Sequence, residues 1–139
     1  MVTGNTFRCV VVTPESTVVD TQVTSAVFCT HDGLVGVLAG HAPLLSKLGT
    51  GVVRYRDVEN DNGDEKSVFI NGGVGHVRDN TLTLFCREAI KSGEVSLPEA
   101  EKSLQEAQEL PKATAKQLKI RQSALDRAKG LICLAKNEG

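Results

Sequence analysis

Hydrophobic positions in the first ~90 residues fall in short, Val-rich runs separated by turn residues, and the period then changes. Residues 7–12 form the first such run and end before Pro14, which cannot continue a ladder. Residues 23–29 form a second. Asp32-Gly33 follows as a hairpin signal, because both residue types accept positive φ. Residues 51–56 are expected to pair with 67–70 across the polar loop 57–66. Residues 74–77 and 81–85 flank Asp79-Asn80, another tight-turn pair. Strands of this length, with turn signals roughly every 8–12 residues, point to a sandwich or barrel.

Beyond residue 95 the spacing becomes helical. Ser96-Leu97-Pro98-Glu99 fits a capping box, with Ser96 as N-cap, Glu99 reaching back and Pro98 in the first turn. Leu97, Ala100, Leu104 and Ala107 then recur on one helical face, and Leu110-Pro111 breaks the helix. A second helix is predicted from Thr114, with Gln117 three residues on. Its apolar stripe comprises Leu118, Leu125, Ala128, Leu131, Ile132 and Ala135. The pattern divides the chain into a β domain, residues 1–90, and a helical hairpin, residues 91–139. The first helix is mainly acidic (Glu99, Glu101, Glu106, Glu109) and the second mainly basic, which favours antiparallel docking. Exposed pairs contribute only ~0–1 kcal/mol each, and short helices are marginal alone, so the hairpin is a credible switch element.

Composition narrows the function classes. The 139-residue chain has a formal net charge of −1, which argues against a nucleic-acid binder driven by overall charge. Aromatic residues make up 4% and Trp is absent, so the core must be mostly Val, Leu and Ala. Cys9, Cys29, Cys86 and Cys133 form no CxxC pair. Such scattered cysteines read as buried thiols and suggest a reducing compartment. Residues 1–5 carry no signal-peptide pattern, and no apolar run approaches the ~20 residues of a membrane span. Any membrane association is expected to come through a partner.

Catalytic and metal-binding patterns are sparse. There is no P-loop sequence. His31 and His41 flank one predicted strand near Cys29, but their spacing matches no zinc motif. Nothing local activates Ser25 or Cys29 as a nucleophile. The acidic loop 57–65 is similar in composition to a calcium loop, yet its ligand order and flanking strands fit a solvated hairpin tip better. Gly33, Gly36, Gly40, Gly72, Gly73 and Gly75 sit in or beside strands, where glycine marks bends or close backbone approach.

One ordered set of motifs carries more information than all of these. Val12-x-Pro14 is followed by Asp20. Then come Asp32-Gly33-x-x-Gly36-x-Leu38-x-Gly40-His41-Ala42-Pro43-Leu44, Gly51-Val52-Val53-Arg54 and Gly72-Gly73. With the helical hairpin behind them, these resemble the epsilon subunit of F-type ATP synthases over nearly the whole chain. The resemblance implies a mainly β fold with α: a β-sandwich of two antiparallel sheets followed by an antiparallel helical hairpin. It implies a non-catalytic rotor subunit linking the gamma subunit to the c-ring. His31, Asp32, Gly33 and Leu34, with Gly40, His41, Ala42 and Pro43, would form the ring-facing end. The hairpin would restrain ATP hydrolysis, with Lys116, Lys119, Arg121, Arg127 and Lys129 facing an acidic segment of the catalytic beta subunits.

Two departures qualify the resemblance. Some bacterial members bind regulatory ATP through an [Ile/Leu]-Asp-x-x-Arg-Ala motif opening the first helix. Here Ser96 replaces the Asp and Glu99 the Arg, which puts a carboxylate where phosphates would sit, so no cofactor is expected. Leu34 stands where some relatives carry an acidic residue, which removes a charge-based ring contact at that position. The implied location is the cytoplasmic face of a bacterial plasma membrane, held there by the complex, with an organellar membrane as the alternative. Two competing readings are a stand-alone β-sandwich that binds a small ligand in a deep pocket, and a small hydrolase using His41 or His76.

Overall fold

The computed structural model describes residues 5–58 and 64–136, so most of the calcium-like loop and the first four residues lie outside the described residues. Six strands precede two helices. The strands are β1 (Phe7–Val12), β2 (Thr17–Thr30), β3 (Gly33–Leu38), β4 (Leu44–Asp57), β5 (Asp64–Arg78) and β6 (Thr81–Lys91). The helices are α1 (Leu97–Gln108) and α2 (Ala115–Lys136).

The strands form a β-sandwich whose ladder runs β1-β6-β5-β4-β2-β3, with β1 returning to pair with β2. Four of the five pairings in that closed circuit are antiparallel, and β1 runs parallel to β6. A circuit with an odd number of strands cannot alternate all the way round, so one parallel pair is forced. The expectation of purely antiparallel sheets is corrected at this pair. β1 and β3 share one edge of β2 in succession, β1 along its first half and β3 along its second.

Tight turns set the register. Asp79 and Asn80 adopt φ of 52° and 58°, the left-handed pair that a two-residue hairpin requires, and Arg78 pairs with Thr81 across them. The β2–β3 hairpin also forms, but its turn is His31-Asp32, one residue earlier than Asp32-Gly33. Thr30 pairs with Gly33. The Thr30 hydroxyl fixes this turn by accepting from Asp32 N (3.2 Å) and donating to Gly33 O (2.9 Å).

Phe7, Cys9, Val11, Val23, Phe28, Val53, Ile70 and Leu84 are among the buried residues filling the sandwich. The inward face of three strands changes parity part-way along. On β5, Val68 and Ile70 point inward, then Val77 does. On β4, Leu48 is followed by Val53 and Tyr55. On β6, Leu82, Leu84 and Cys86 are followed by Ala89. The reversals align because Leu48, Gly73 and Cys86 lie in one cross-strand row, with Gly73 paired to each of the other two. Gly72 and Gly73 carry φ of +69° and +123°. A Cβ on Gly73 would lie 1.9 Å from Phe85 O, so only glycine fits this crease. With strict alternation, a residue one position from an inward one faces out. The crease therefore turns Val52, Phe69 and Ile90, which form one cross-strand row, out of the sandwich core.

The helical hairpin covers that row. Ser96 Oγ accepts from Glu99 N (3.3 Å) to open α1. Thr114 and Gln117 open α2 reciprocally: Thr114 Oγ1 accepts from Gln117 N (3.1 Å) and Gln117 Oε1 from Thr114 N (3.2 Å). Ala100, Leu131 and Leu134 bury against Phe69, with Val52, Ile90, Val95 and Ile132 around them. Each large side chain so buried stabilises by about 1.5–3 kcal/mol gross. A Cβ on Gly130 would lie 2.4 Å from Phe69 Cε1, so this helical glycine lets α2 approach the sheet. Leu118, expected in the apolar stripe, is instead 50% exposed.

Candidate partner-binding site

The eight residues expected at one end of the sandwich lie on two segments that both meet the first part of β4. His31 N donates to Lys47 O (2.9 Å), which fixes the β2–β3 turn beside β4. His31, Asp32, Gly33 and Leu34 are exposed, Leu34 at 75%. The second segment leads into β4 at Leu44. Gly40 N donates to Asn80 Oδ1 (3.0 Å), while Asn80 Nδ2 donates to Thr6 O (2.8 Å). One left-handed asparagine thus ties the Gly40 corner, the start of β1 and the β5–β6 turn together. His41 N donates to Leu38 O (3.1 Å), and His41 Nδ1 contacts Ala42 O at 2.7 Å, a bond that requires the proton on Nδ1. Ala42 and Pro43 are exposed.

Several apolar residues that the sequence reading passed over join this surface. Leu45 is 72% exposed and Leu38 64%. A shallow pocket of about 320 Å³ lies between Pro43, Leu44, Leu45, His76, Val77 and Arg78. Beside it, Val12, Phe85, Val74 and Lys47 follow one another across β1, β6, β5 and β4. Phe85 is 52% exposed there. Strand alternation was the available signal, since Leu84 and Cys86 face inward and Phe85 must face out.

The five basic residues of α2 have different surroundings. Lys116, Lys119 and Lys129 are exposed. Arg121 is half-buried, and its Nη2 donates to Gln108 O (3.4 Å) at the C-terminal end of α1, where helix carbonyls carry partial negative charge. Arg127 forms a two-pronged ion pair with Glu88 on β6, at 2.9 and 2.8 Å. Hydrogen bonds from Arg127 hold the Glu88 carboxyl below its ordinary value against partial burial, and Asn71 adds a further donor. The charge pairing described on α2 therefore reaches the sandwich rather than the acidic helix.

Cys9, Cys29 and Cys86 are free thiols. Burial pushes the Cys9 and Cys86 thiols up to about 12, the environment of inert core residues. Cys133 is half-buried, with Arg54 Nη2 3.6 Å from its sulfur. Among the described residues, no group of three or more His, Cys, Asp or Glu side chains is placed to hold a metal. No described helix is long and apolar enough to cross a membrane.

What the surface offers is broad, apolar and shallow, suited to protein contact. The family described as ATP synthase, delta/epsilon chain, beta-sandwich domain matches residues 6–92. The chain belongs to the ATP synthase delta/epsilon chain family. It is similar to the ATP synthase epsilon chain of Rhodopirellula baltica, 37% identical over 126 residues, covering 91% of this chain and 95% of the relative. It is also similar to the chloroplastic epsilon chain of Staurastrum punctulatum, 33% identical, covering 91% of each. A chain in the cryo-EM structure of the Euglena gracilis mitochondrial ATP synthase shares the fold, with a TM-score of 0.79 at 22% identity, covering 92% of this chain and 80% of that one. Membership of this family makes the protein a non-catalytic subunit of a membrane-associated complex.

Proposed function

We propose that this chain works in the central stalk of an F-type ATP synthase, joining the gamma subunit to the ring of c subunits while its hairpin restrains ATP hydrolysis. The observation that carries the reading is the apolar surface left open on a rigid sandwich, with Leu34, Leu38, Leu45 and Phe85 all more than half exposed. Patches of that kind mark protein interaction sites. The Euglena neighbour belongs to an assembly of F1 and c-ring, and a Tetrahymena thermophila neighbour with a TM-score of 0.61 belongs to a central stalk and c-ring.

The ring contact falls to His31, Asp32, Gly33, Leu34, Gly40, His41, Ala42 and Pro43, joined by Leu45. The row Val12–Phe85–Val74 serves gamma. Lys116, Lys119, Arg121, Arg127 and Lys129 serve the beta subunits once α2 leaves the sandwich. No cofactor takes part, because Ser96 caps α1 and Glu99 places a carboxylate in its first turn. The complex holds the chain at the cytoplasmic face of a bacterial plasma membrane.

A pull-down with the cognate gamma subunit, followed by reassembly of the complex, tests this reading. Phe85→Glu should abolish gamma binding. Leu34→Asp with Leu45→Asp should keep gamma yet lose ATP-driven proton pumping. A parent chain that binds no gamma would refute the proposal.

A further inference from the structure

Arg127 is already occupied in the folded chain. Its Nε and Nη2 donate to the two carboxylate oxygens of Glu88. Glu88 Oε1 also accepts from Asn71 Nδ2 (3.3 Å), and Asn71 Oδ1 accepts from Thr50 Oγ1 (2.9 Å). Thr50, Asn71 and Glu88 are direct cross-strand neighbours, so the carboxylate is held by a row of side chains spanning β4, β5 and β6. That row lies next to the apolar row that packs against α2, two residues along each strand from Val52, Phe69 and Ile90.

We propose that the Glu88–Arg127 pair is a latch that withholds one cation of the inhibitory face for as long as the hairpin is docked. This rests on the reading of α2 as an inhibitory element. A guanidinium fork satisfies one carboxylate bidentately at a time. Arg127 therefore serves either Glu88 on its own sandwich or an acidic segment of a partner. A partner shifts a two-state equilibrium only through contacts that differ between the states. Exchange of Arg127 from one carboxylate to the other supplies such a difference. Lys116, Lys119 and Lys129, exposed in the docked chain, supply less of it, because they are open to solvent before release.

The test measures hydrogen exchange of α2 amides in the full chain and ATP hydrolysis by the complex reassembled with it. Glu88→Gln and Arg127→Gln should each speed α2 exchange about 5-fold, the ratio that loss of a half-exposed charged pair corresponds to. Exchanging the two residues, Glu88→Arg with Arg127→Glu, should restore most of the protection. Hydrolysis separates the variants further. Glu88→Gln frees an intact arginine and should deepen inhibition, whereas Arg127→Gln loosens the hairpin equally and should not. Equal exchange in all four proteins would overturn the latch. Equal inhibition by Glu88→Gln and Arg127→Gln would overturn the double use of the arginine. Gamma binding reports separately on the stalk reading, and exchange in the isolated chain decides the latch whichever way that falls.

Discussion

Gly130→Ala isolates the docking of the hairpin from its helicity. In a helix interior, alanine is more favourable than glycine by about 0.8–1.0 kcal/mol. That gain is the same whether α2 lies on the sandwich or off it, so it cancels from the docking equilibrium. The new methyl group does not cancel. It would stand 2.4 Å from Phe69 Cε1 and 2.8 Å from Cδ1. Phe69 is fully buried among Ala100, Leu131 and Leu134, so its ring has nowhere to move. Forced overpacking of this kind costs about 1–3 kcal/mol. The docked-to-undocked ratio should therefore fall roughly 5- to 150-fold, at about 1.4 kcal/mol per factor of ten.

Native-state hydrogen exchange reads the ratio directly, because α2 amides on the docked face open by undocking while β1 and β2 amides open with the whole sandwich. The expected pattern is faster exchange around residues 128–134 and unchanged exchange in the strands. In a Phe69→Leu background, where the ring edge is gone, the same substitution should shift exchange less. Unchanged or slower α2 exchange in Gly130→Ala would refute the close-approach argument. Equal shifts in both backgrounds would acquit Phe69.

Further outcomes follow from other contacts. Gly73→Ala should destabilise the sandwich by about 2–4 kcal/mol, from left-handed strain and a collision with Phe85 O, and thermal melting checks it. The pH response follows from Glu88, whose carboxyl is held below its ordinary value by Arg127. The stability it gives is fully present above the unfolded value of about 4.3 and is lost as pH falls through the folded value. Energy transfer between dyes on α2 and on the sandwich should be flat from roughly pH 6 to 8 and should drop only below about pH 4; tighter docking in acid would contradict this. Cys9 and Cys86, buried and shifted up to about 12, should resist thiol reagents at neutral pH until the sandwich unfolds, which timed labelling with mass spectrometry measures.

Local chemistry was legible from the residues alone. The Asp79-Asn80 turn, the Ser96 cap, the Thr114–Gln117 capping box and the alternating strands each depend on neighbours within a few positions. So did the ordered motifs around Gly40-His41-Ala42-Pro43, which gave the family. Other features depended on pairings that no local window contains. The parallel β1–β6 pair follows from closing an odd circuit of strands. The crease at Gly72-Gly73 reverses the facing of three strands together, so period-two reading assigns inward and outward residues correctly on only one side of it. That reversal turns Phe69 outward and makes Gly130 its required neighbour. Sequence alone placed Arg127 on a basic helix, where the family resemblance aimed it at an acidic segment of the beta subunits. Its partner Glu88 lies 39 residues away on a strand, and only docking across the crease brings the two charges into contact.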